Sequence, residues 1–469
     1  MKTKIKSILS SIFALSLLTS CEPKDAKSNH HEHNFKCVID DAYFVSDATI
    51  DEPAKYYKTC ECGEISTETF YVGSPISKEI VGEPIETNYS AFFYEYDDKE
   101  IIKTVEDIIC PLVISTTIGN YKDVVFKRYT FNYETTYLDS SRIALSGAFT
   151  IPYYKGEPYI NYIDVDSHAT LNQAYQAPSL YFDIFTFLAL EGALVIECDL
   201  LGFGRTNSSP VDYHCSHLAA KNTIDGIIAA MDLIQNELGI SLEGKKMFNT
   251  GYSQGGYDAM ALMRYLETEA TDYEKSRVHF EHTYCGSGAY NLSIMFEDSL
   301  RNESFPQPEY ILMGLLSAYD FHPEVFGNYV VEDFLTDYGK LLIQPVRDKD
   351  EGYVDYILRM TDEYGNPLYN GPKDIFNFDY DNPEPDKLEI LNKFSELECL
   401  INGEWFPEGK LTLFYLPKDN LVSPRSSIEA AELFKNLKNV NVIKGFLDDH
   451  ATGAVLFYFY CLLEILTEL

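Results

Sequence analysis

The chain is 469 residues long, 45% hydrophobic and 23% charged. That is a globular composition, and at this length it points to more than one folding unit. Its 73 acidic side chains outnumber 37 basic ones, for a formal charge of −36. A surface this acidic repels phosphate backbones, which excludes nucleic acid as a partner and says little about fold.

The chain opens with Lys2, Lys4 and Lys6 ahead of the apolar run "ILSSIFALSLL", too short for a typical membrane-spanning helix. The stretch "LTSC", Leu18 to Cys21, then resembles the lipobox of bacterial lipoproteins. The resemblance implies that residues 1–20 are a signal peptide cleaved before Cys21, whose thiol is then acylated. The protein is therefore expected to be exported and lipid-anchored at the cell envelope through Cys21, with the membrane as a partner. A plain secretory signal with an incidental cysteine is the alternative. No other segment reads as membrane-spanning, since "AVLFYFYCLL" near the C-terminus is interrupted by Glu464.

Residues 21–35 are polar and read as a tether. Residues 36–75 read as a small β-rich Cys/His module, with His30, His31, His33 and Cys37 near its start and the Cys60-x-Cys62-Gly63 pair downstream. Its "YYKTCECG" resembles a Cys/His module recurrent in surface proteins of anaerobic bacteria. Borderline-soft ligands in two clusters, His33 and Cys37 with Cys60 and Cys62, could hold a structural zinc ion. A disulfide from Cys37 to Cys60 or Cys62 stays open, as do free thiols, because an exported setting permits either chemistry. The later cysteines, such as Cys198 and Cys461, sit in apolar surroundings and read as buried thiols.

From about residue 85 the pattern changes to that of an α/β core, expected over 85–290 and again over 396–469. "VVFKRYTFNY" and "RIALSGAFTIPYY" are rich in β-branched and aromatic residues, as strands are. Strands follow at 160–166 and 193–200, with "FDIFTFLALEG" between them read as a helix stopped by Gly192. Ile224, Ile227, Ile228, Met231, Ile234 and Leu238 share one face of a long helix. "KKMFNTGYS" reads as a strand and "YDAMALMRYLETEA" as the helix after it. Segments 278–286, 411–417 and 440–446 supply the last strands. Such alternation implies a mostly parallel sheet flanked by helices. Between 291 and 395 the strand rhythm lapses into helical patterns such as "YILMGLLSAY" and "VVEDFLTDYGKLLI", read as a helical cap inserted over the sheet edge. A second independent domain is the alternative there.

The chemistry concentrates in "GYSQGG". Gly251-x-Ser253-x-Gly255 lies between a predicted strand and a predicted helix, the context a nucleophile elbow needs. Small residues let backbones approach at the strained turn, and the Gln254 N–H at the helix start points toward developing negative charge. A serine hydroxyl needs a base, and four histidines follow: His279, His282, His322 and His450. Only His450 comes after the last predicted strand. "LPKDNLVSP" offers Asp419 after the penultimate strand to orient that imidazole, whereas Asp448 and Asp449 adjoin His450 and read as turn residues.

Together "SHAT…APS", "CDLLGFGRT", "GYSQGG", "CGSGAYNL" and "DNLVSP…H" resemble the α/β-hydrolase superfamily, in particular secretory lipases and related bacterial esterases. The resemblance spans about residues 90–290 and 400–460. It implies a Ser253–Asp419–His450 triad, an oxyanion hole of the Gln254 and Thr170 amides, and His168 and Ala169 as support in the oxyanion loop. The family's loop reads His-Gly-Thr, so Ala169 stands where glycine is usual, and Leu200 replaces a tyrosine. If the loop needs positive φ at residue 169, alanine costs energy and could shift the donor. Asp199 reads as structural. The expected activity is hydrolysis of a small-molecule or lipid carboxylic ester, with no cofactor for catalysis. A peptidase or amide hydrolase on the same residues, and a non-catalytic surface binding protein of degenerate hydrolase fold, are the alternatives.

Overall fold

The computed structural model describes residues 33–38, 41–46, 54–60, 62–72, 78–88, 123–139, 141–182 and 184–469. The expected signal peptide, Cys21 and most of the tether lie outside the described residues. The chain divides into two compact units, Met1–Phe44 with Tyr56–Phe70, and Val45–Lys55 with Tyr71–Leu469.

The small N-terminal sheet is built from β1 (Phe35–Lys36), β2 (Phe44–Ser46), β3 (Ala54–Cys60) and β4 (Ile65–Val72). β1 pairs antiparallel with β3, setting Phe35 opposite Cys60. This strand starts inside the stretch read as tether, because pairing to β3 recruits residues that composition alone assigns to a linker.

The large sheet has ten strands: β5 (Lys78–Asn88), β6 (Val124–Thr136), β7 (Arg142–Tyr154), β8 (Glu157–Pro158), β9 (Tyr162–Ser167), β10 (Ala193–Cys198), β11 (Met247–Tyr252), β12 (Phe280–Gly286), β13 (Leu411–Tyr415) and β14 (Val440–Lys444). Their order is β14-β13-β12-β11-β9-β10-β7-β6-β5, with β8 paired to β7. From β14 to β10 every pair is parallel, and β7, β6 and β5 continue the sheet antiparallel. β10 and β11 are buried along their whole length, as strands covered on both faces must be, and β6 alternates buried and half-buried positions. β5 begins at Lys78, ahead of the core start read at residue 85.

Helices Ser216–Asn236 and Gln254–Thr268 pack on one face, and the terminal helix His450–Glu468 on the other. That last helix is long and apolar enough to cross a membrane by composition, yet Phe457, Tyr458, Cys461, Leu462 and Ile465 are buried in the core with Phe248 and Phe414. Its apolar length is core packing. The stretch 184–191, read as an α-helix, is a 3-10 segment ending at Gly192, whose φ of 88° closes the turn.

Between β12 and β13 lies the inserted helical cap, with helices Leu292–Arg301, Pro308–Phe321, Ile343–Asp348, Glu351–Leu358 and Pro385–Leu397. The helical pattern at 330–343 resolves into two 3-10 turns, Val331–Phe334 and Gly339–Leu342. Its core is shared: Leu312, Phe394 and Trp405 belong to one buried cluster with Tyr257 and Met260 of helix Gln254–Thr268 and Leu413 of β13.

Candidate functional site

β11 ends in a turn that holds Ser253 at φ 63°, ψ −123°, a region an L-residue occupies only under constraint. The glycines around it make the turn fit. A Cβ on Gly251 would meet the Gly255 carbonyl oxygen at 2.1 Å, and one on Gly255 would meet the Ser167 carbonyl oxygen at 1.9 Å. Ser253 N–H donates to the Gly286 carbonyl across the neighbouring strand end at 2.8 Å. The side chain therefore stands at the C-terminal edge of the parallel strands, at the start of helix Gln254–Thr268.

The loop after β13 and the start of the terminal helix bring Asp419 and His450 together. His450 Nδ1 lies 2.8 Å and 2.9 Å from the two Asp419 carboxylate oxygens. Oδ1 of the same carboxylate accepts the Leu421 and Val422 amides at 3.0 Å and 2.9 Å, so backbone fixes the acid. The Asn420 side chain accepts the His450 N–H at 3.0 Å, and the Tyr252 hydroxyl donates to the His450 carbonyl at 3.0 Å. His450 Nε2 is buried and makes no hydrogen bond among the described residues, to Ser253 or to any other group. A nucleophile–base contact that is open without substrate is common and closes in the reactive complex.

The other histidines after Ser253 are engaged or exposed. His282 meets Glu468 at 2.7 Å and Thr412 at 3.0 Å, and His322 Nε2 lies 2.8 Å from Glu398. His279 is exposed at the far end of β12. Asp449 caps the terminal helix by accepting the Thr452 N–H, and exposed Asp448 pairs with Lys418.

Opposite the elbow, β9 runs into the loop carrying His168, Ala169 and Thr170. The His168 ring faces two backbone carbonyls, Ala169 at 2.8 Å from Nδ1 and Asp199 at 3.3 Å from Nε2, which suits a loop brace and not a base. Thr170 Oγ1 is 3.1 Å from the Tyr213 hydroxyl. Neither the Thr170 amide nor the Gln254 amide donates a hydrogen bond among the described residues. Ala169 does not adopt positive φ, whereas Leu200 does, at 61°. The glycine requirement feared at Ala169 is absent, and the strain sits at the other departure. Asp199 is structural: its carboxylate accepts the Ser179 amide at 2.7 Å and the Ser146 hydroxyl at 2.5 Å.

A cavity opens from Ser253 and Gln254 toward the cap, walled by Leu292, Phe296, Ile311 and Gly314. Sequence reasoning missed two of its other lining residues, Tyr213 and His214. His214 sits at φ 59°, and burial lowers its pKa to about 3, so its imidazole is neutral. Also missed were Asp212 and Asp258, buried and with no hydrogen-bond partner for their oxygens among the described residues; burial raises both, Asp212 to about 7. No sequence pattern marks these residues: Asp212, Tyr213 and His214 lie in the loop before helix Ser216–Asn236, and Asp258 lies on the buried part of the elbow helix.

In the small unit, His33, Cys60 and Cys62 place their ligand atoms within 4.8 Å of one another. Cys62 Sγ lies 3.4 Å from His33 Nδ1, and the other ring nitrogen is 3.4 Å from the Glu64 carboxylate. Cys37, which is exposed, lies outside this group.

No protein-family model and no curated protein matches the chain. Solved structures do. A candidate hydrolase from Legionella pneumophila superposes with a TM-score of 0.62 at 18% identity, covering 83% of this chain and 96% of that one. The rice cell wall degrading esterase LipA from Xanthomonas oryzae gives 0.61 at 19% identity, covering 84% and 97%. Candida antarctica lipase A in its closed state gives 0.52 at 17%, covering 72% and 76%. At these identities the likeness establishes the fold: the chain has the α/β-hydrolase fold, with an inserted helical cap and a small N-terminal sheet.

Proposed function

We propose that the protein is a serine hydrolase that cleaves carboxylic esters. The observation that carries this reading is the elbow serine at positive φ on the same strand edge as a His450–Asp419 pair, in the chain order Ser, Asp, His. Ser253 Oγ attacks the acyl carbonyl while His450 Nε2 takes its proton. Asp419 holds the Nδ1–H and stabilises the imidazolium. The Gln254 and Thr170 amides, which donate to no other group among the described residues, stabilise the tetrahedral oxyanion. Collapse expels the alcohol, protonated by His450, and water then releases the acid from the acyl-enzyme through the same base. No step calls for a cofactor.

Ser253→Ala should abolish hydrolysis of p-nitrophenyl acetate and block labelling by a fluorophosphonate. Undiminished turnover in that variant would sink the assignment. Peptide amides assayed on the same preparation separate ester from amide preference, and an unlabelled wild-type chain would favour a binding protein.

The lysine-rich start, apolar run and "LTSC" support export and a lipid anchor on Cys21. Cys21→Ser should move the protein out of the membrane fraction. In the small unit, His33 with Cys60 and Cys62 fits a soft structural zinc site, because a metal on Nδ1 leaves the other ring nitrogen to donate to Glu64. Elemental analysis of the full chain should find zinc that is lost in Cys60→Ser; a metal-free wild-type chain overturns this.

A further inference from the structure

The cavity beside Ser253 carries information about substrate that the triad does not. Its volume is about 60 Å3. A protein cavity of about 150 Å3 takes one benzene ring, so this smaller space has room for only a few non-hydrogen atoms. Its walls are mainly apolar: Leu292 and Phe296 from one cap helix, Ile311 and Gly314 from the next, and Leu421 from the acid loop.

Proton bookkeeping fixes which part of an ester enters. The leaving oxygen must receive its proton from His450 Nε2, so the alcohol lies on the histidine side. Ser253 and Gln254 line the cavity, and His450 does not. The cavity is therefore on the acyl side of the scissile bond.

Gly314 sets its depth. It lies inside helix Pro308–Phe321 and has no positive φ, so its backbone does not ask for glycine. An interior helix glycine costs about 1 kcal/mol relative to alanine, which leaves room as the reason for it. A Cβ there would stand 3.3 Å from Phe296 Cζ and 4.0 Å from Tyr213 Cδ1, between two walls of the cavity.

We propose that this cavity is an acyl pocket for short chains, from acetyl to about butyryl in size, with Gly314 as the residue that sets the chain-length limit. The inference rests on the ester-hydrolase reading above and narrows it to short-chain carboxylic esters.

The test uses the purified full chain and its Gly314→Ala variant with p-nitrophenyl acetate, butyrate and octanoate. Acetate and butyrate should exceed octanoate in kcat/KM by about tenfold or more, since each misfit methylene is worth about 10- to 200-fold. Gly314→Ala should lower the butyrate-to-acetate ratio by about tenfold on the same ground. Octanoate turned over as well as butyrate, or an unchanged ratio in the variant, overturns the proposal. A parallel arm measures labelling of Ser253 by p-nitrophenyl methyl- and octylphosphonates, which need the nucleophile and the pocket but not ester turnover. Faster labelling by the methyl reagent supports the pocket even if no ester is hydrolysed, in which case only the ester reading fails. Equal or slower labelling by it overturns the pocket, and no labelling by either overturns both.

Discussion

The two sides of the site are held by different means. On the sheet edge, backbone does the holding: Ser253 is locked by glycines with no room for a methyl, and Asp419 by two amides. On the cap side, side chains do it. Glu398, 6% exposed, accepts the Ser216 amide at 2.8 Å and hydroxyl at 2.6 Å, and it meets His322 Nε2 at 2.8 Å. Tyr257, four residues into the elbow helix, donates to the Glu398 carbonyl at 2.8 Å. One side should therefore fail through sterics and lost chemistry, and the other through charge. That contrast orders the mutations that test it.

The largest effect belongs to Asp419→Asn. An amide at this position can no longer hold the Nδ1–H or the charged imidazole, and kcat on p-nitrophenyl acetate should fall by about 10^3- to 10^4-fold. A loss under about tenfold would mean that the Asp419 carboxylate is not the orienting acid. Next comes Gly255→Ala, whose Cβ would overlap the Ser167 carbonyl oxygen at 1.9 Å. Overpacking of this kind costs about 1–3 kcal/mol. The elbow and oxyanion loop must also separate, and a displacement near 1 Å slows reaction by about 100-fold. Wild-type labelling by a fluorophosphonate in Gly255→Ala would show that the elbow is not backbone-enforced.

This division also explains what could be read from the chain. The sheet edge was legible because its devices are local. Glycines must flank Ser253, an acid must follow β13, and only one histidine follows β14. The parallel strands were legible for a similar reason, being short runs such as "ALVIEC" buried on both faces. The segment between β12 and β13 was legible as helical, but its 3-10 turns at 331–342 were not, since tertiary packing chose them over helix propensity. Tyr213 and His214 were not legible because nothing in their sequence neighbours signals a cavity. At Ala169 the sequence could not say whether φ is positive, and the structure keeps it negative.

Breaking the cap latch tests the other side. His322→Ala leaves the buried Glu398 carboxylate without its cationic partner and should cost about 3 kcal/mol of stability, read by chemical denaturation. Burial lowers the His322 pKa and the Glu398 contact raises it, with a net upward shift; burial raises Glu398, while His322 and Ser216 hold it below the ordinary carboxylate value. The imidazole's contribution is fully present below its ordinary value and is lost as pH rises through its raised one. The carboxylate's is present above its ordinary value and is lost as pH falls through its lowered one. The wild-type advantage over His322→Ala should thus be largest between about pH 4.5 and 6.5 and shrink on either side. A pH-independent difference would make the latch a packing contact only.

The smallest effect separates the two departures from the family pattern. Positive φ occurs at Leu200, His214 and Ser253, at 61°, 59° and 63°, but not at Ala169. Ala169→Gly then relieves no strain and only loosens the chain, so stability should drop by about 0.5–1 kcal/mol with turnover changed less than about twofold. A variant that gains activity tenfold would mean that the oxyanion loop takes a left-handed turn at residue 169 when substrate is bound. In that event the Thr170 amide reaches its working position only in the complex, and the loop, like the cap, belongs to the half of the site that side chains hold.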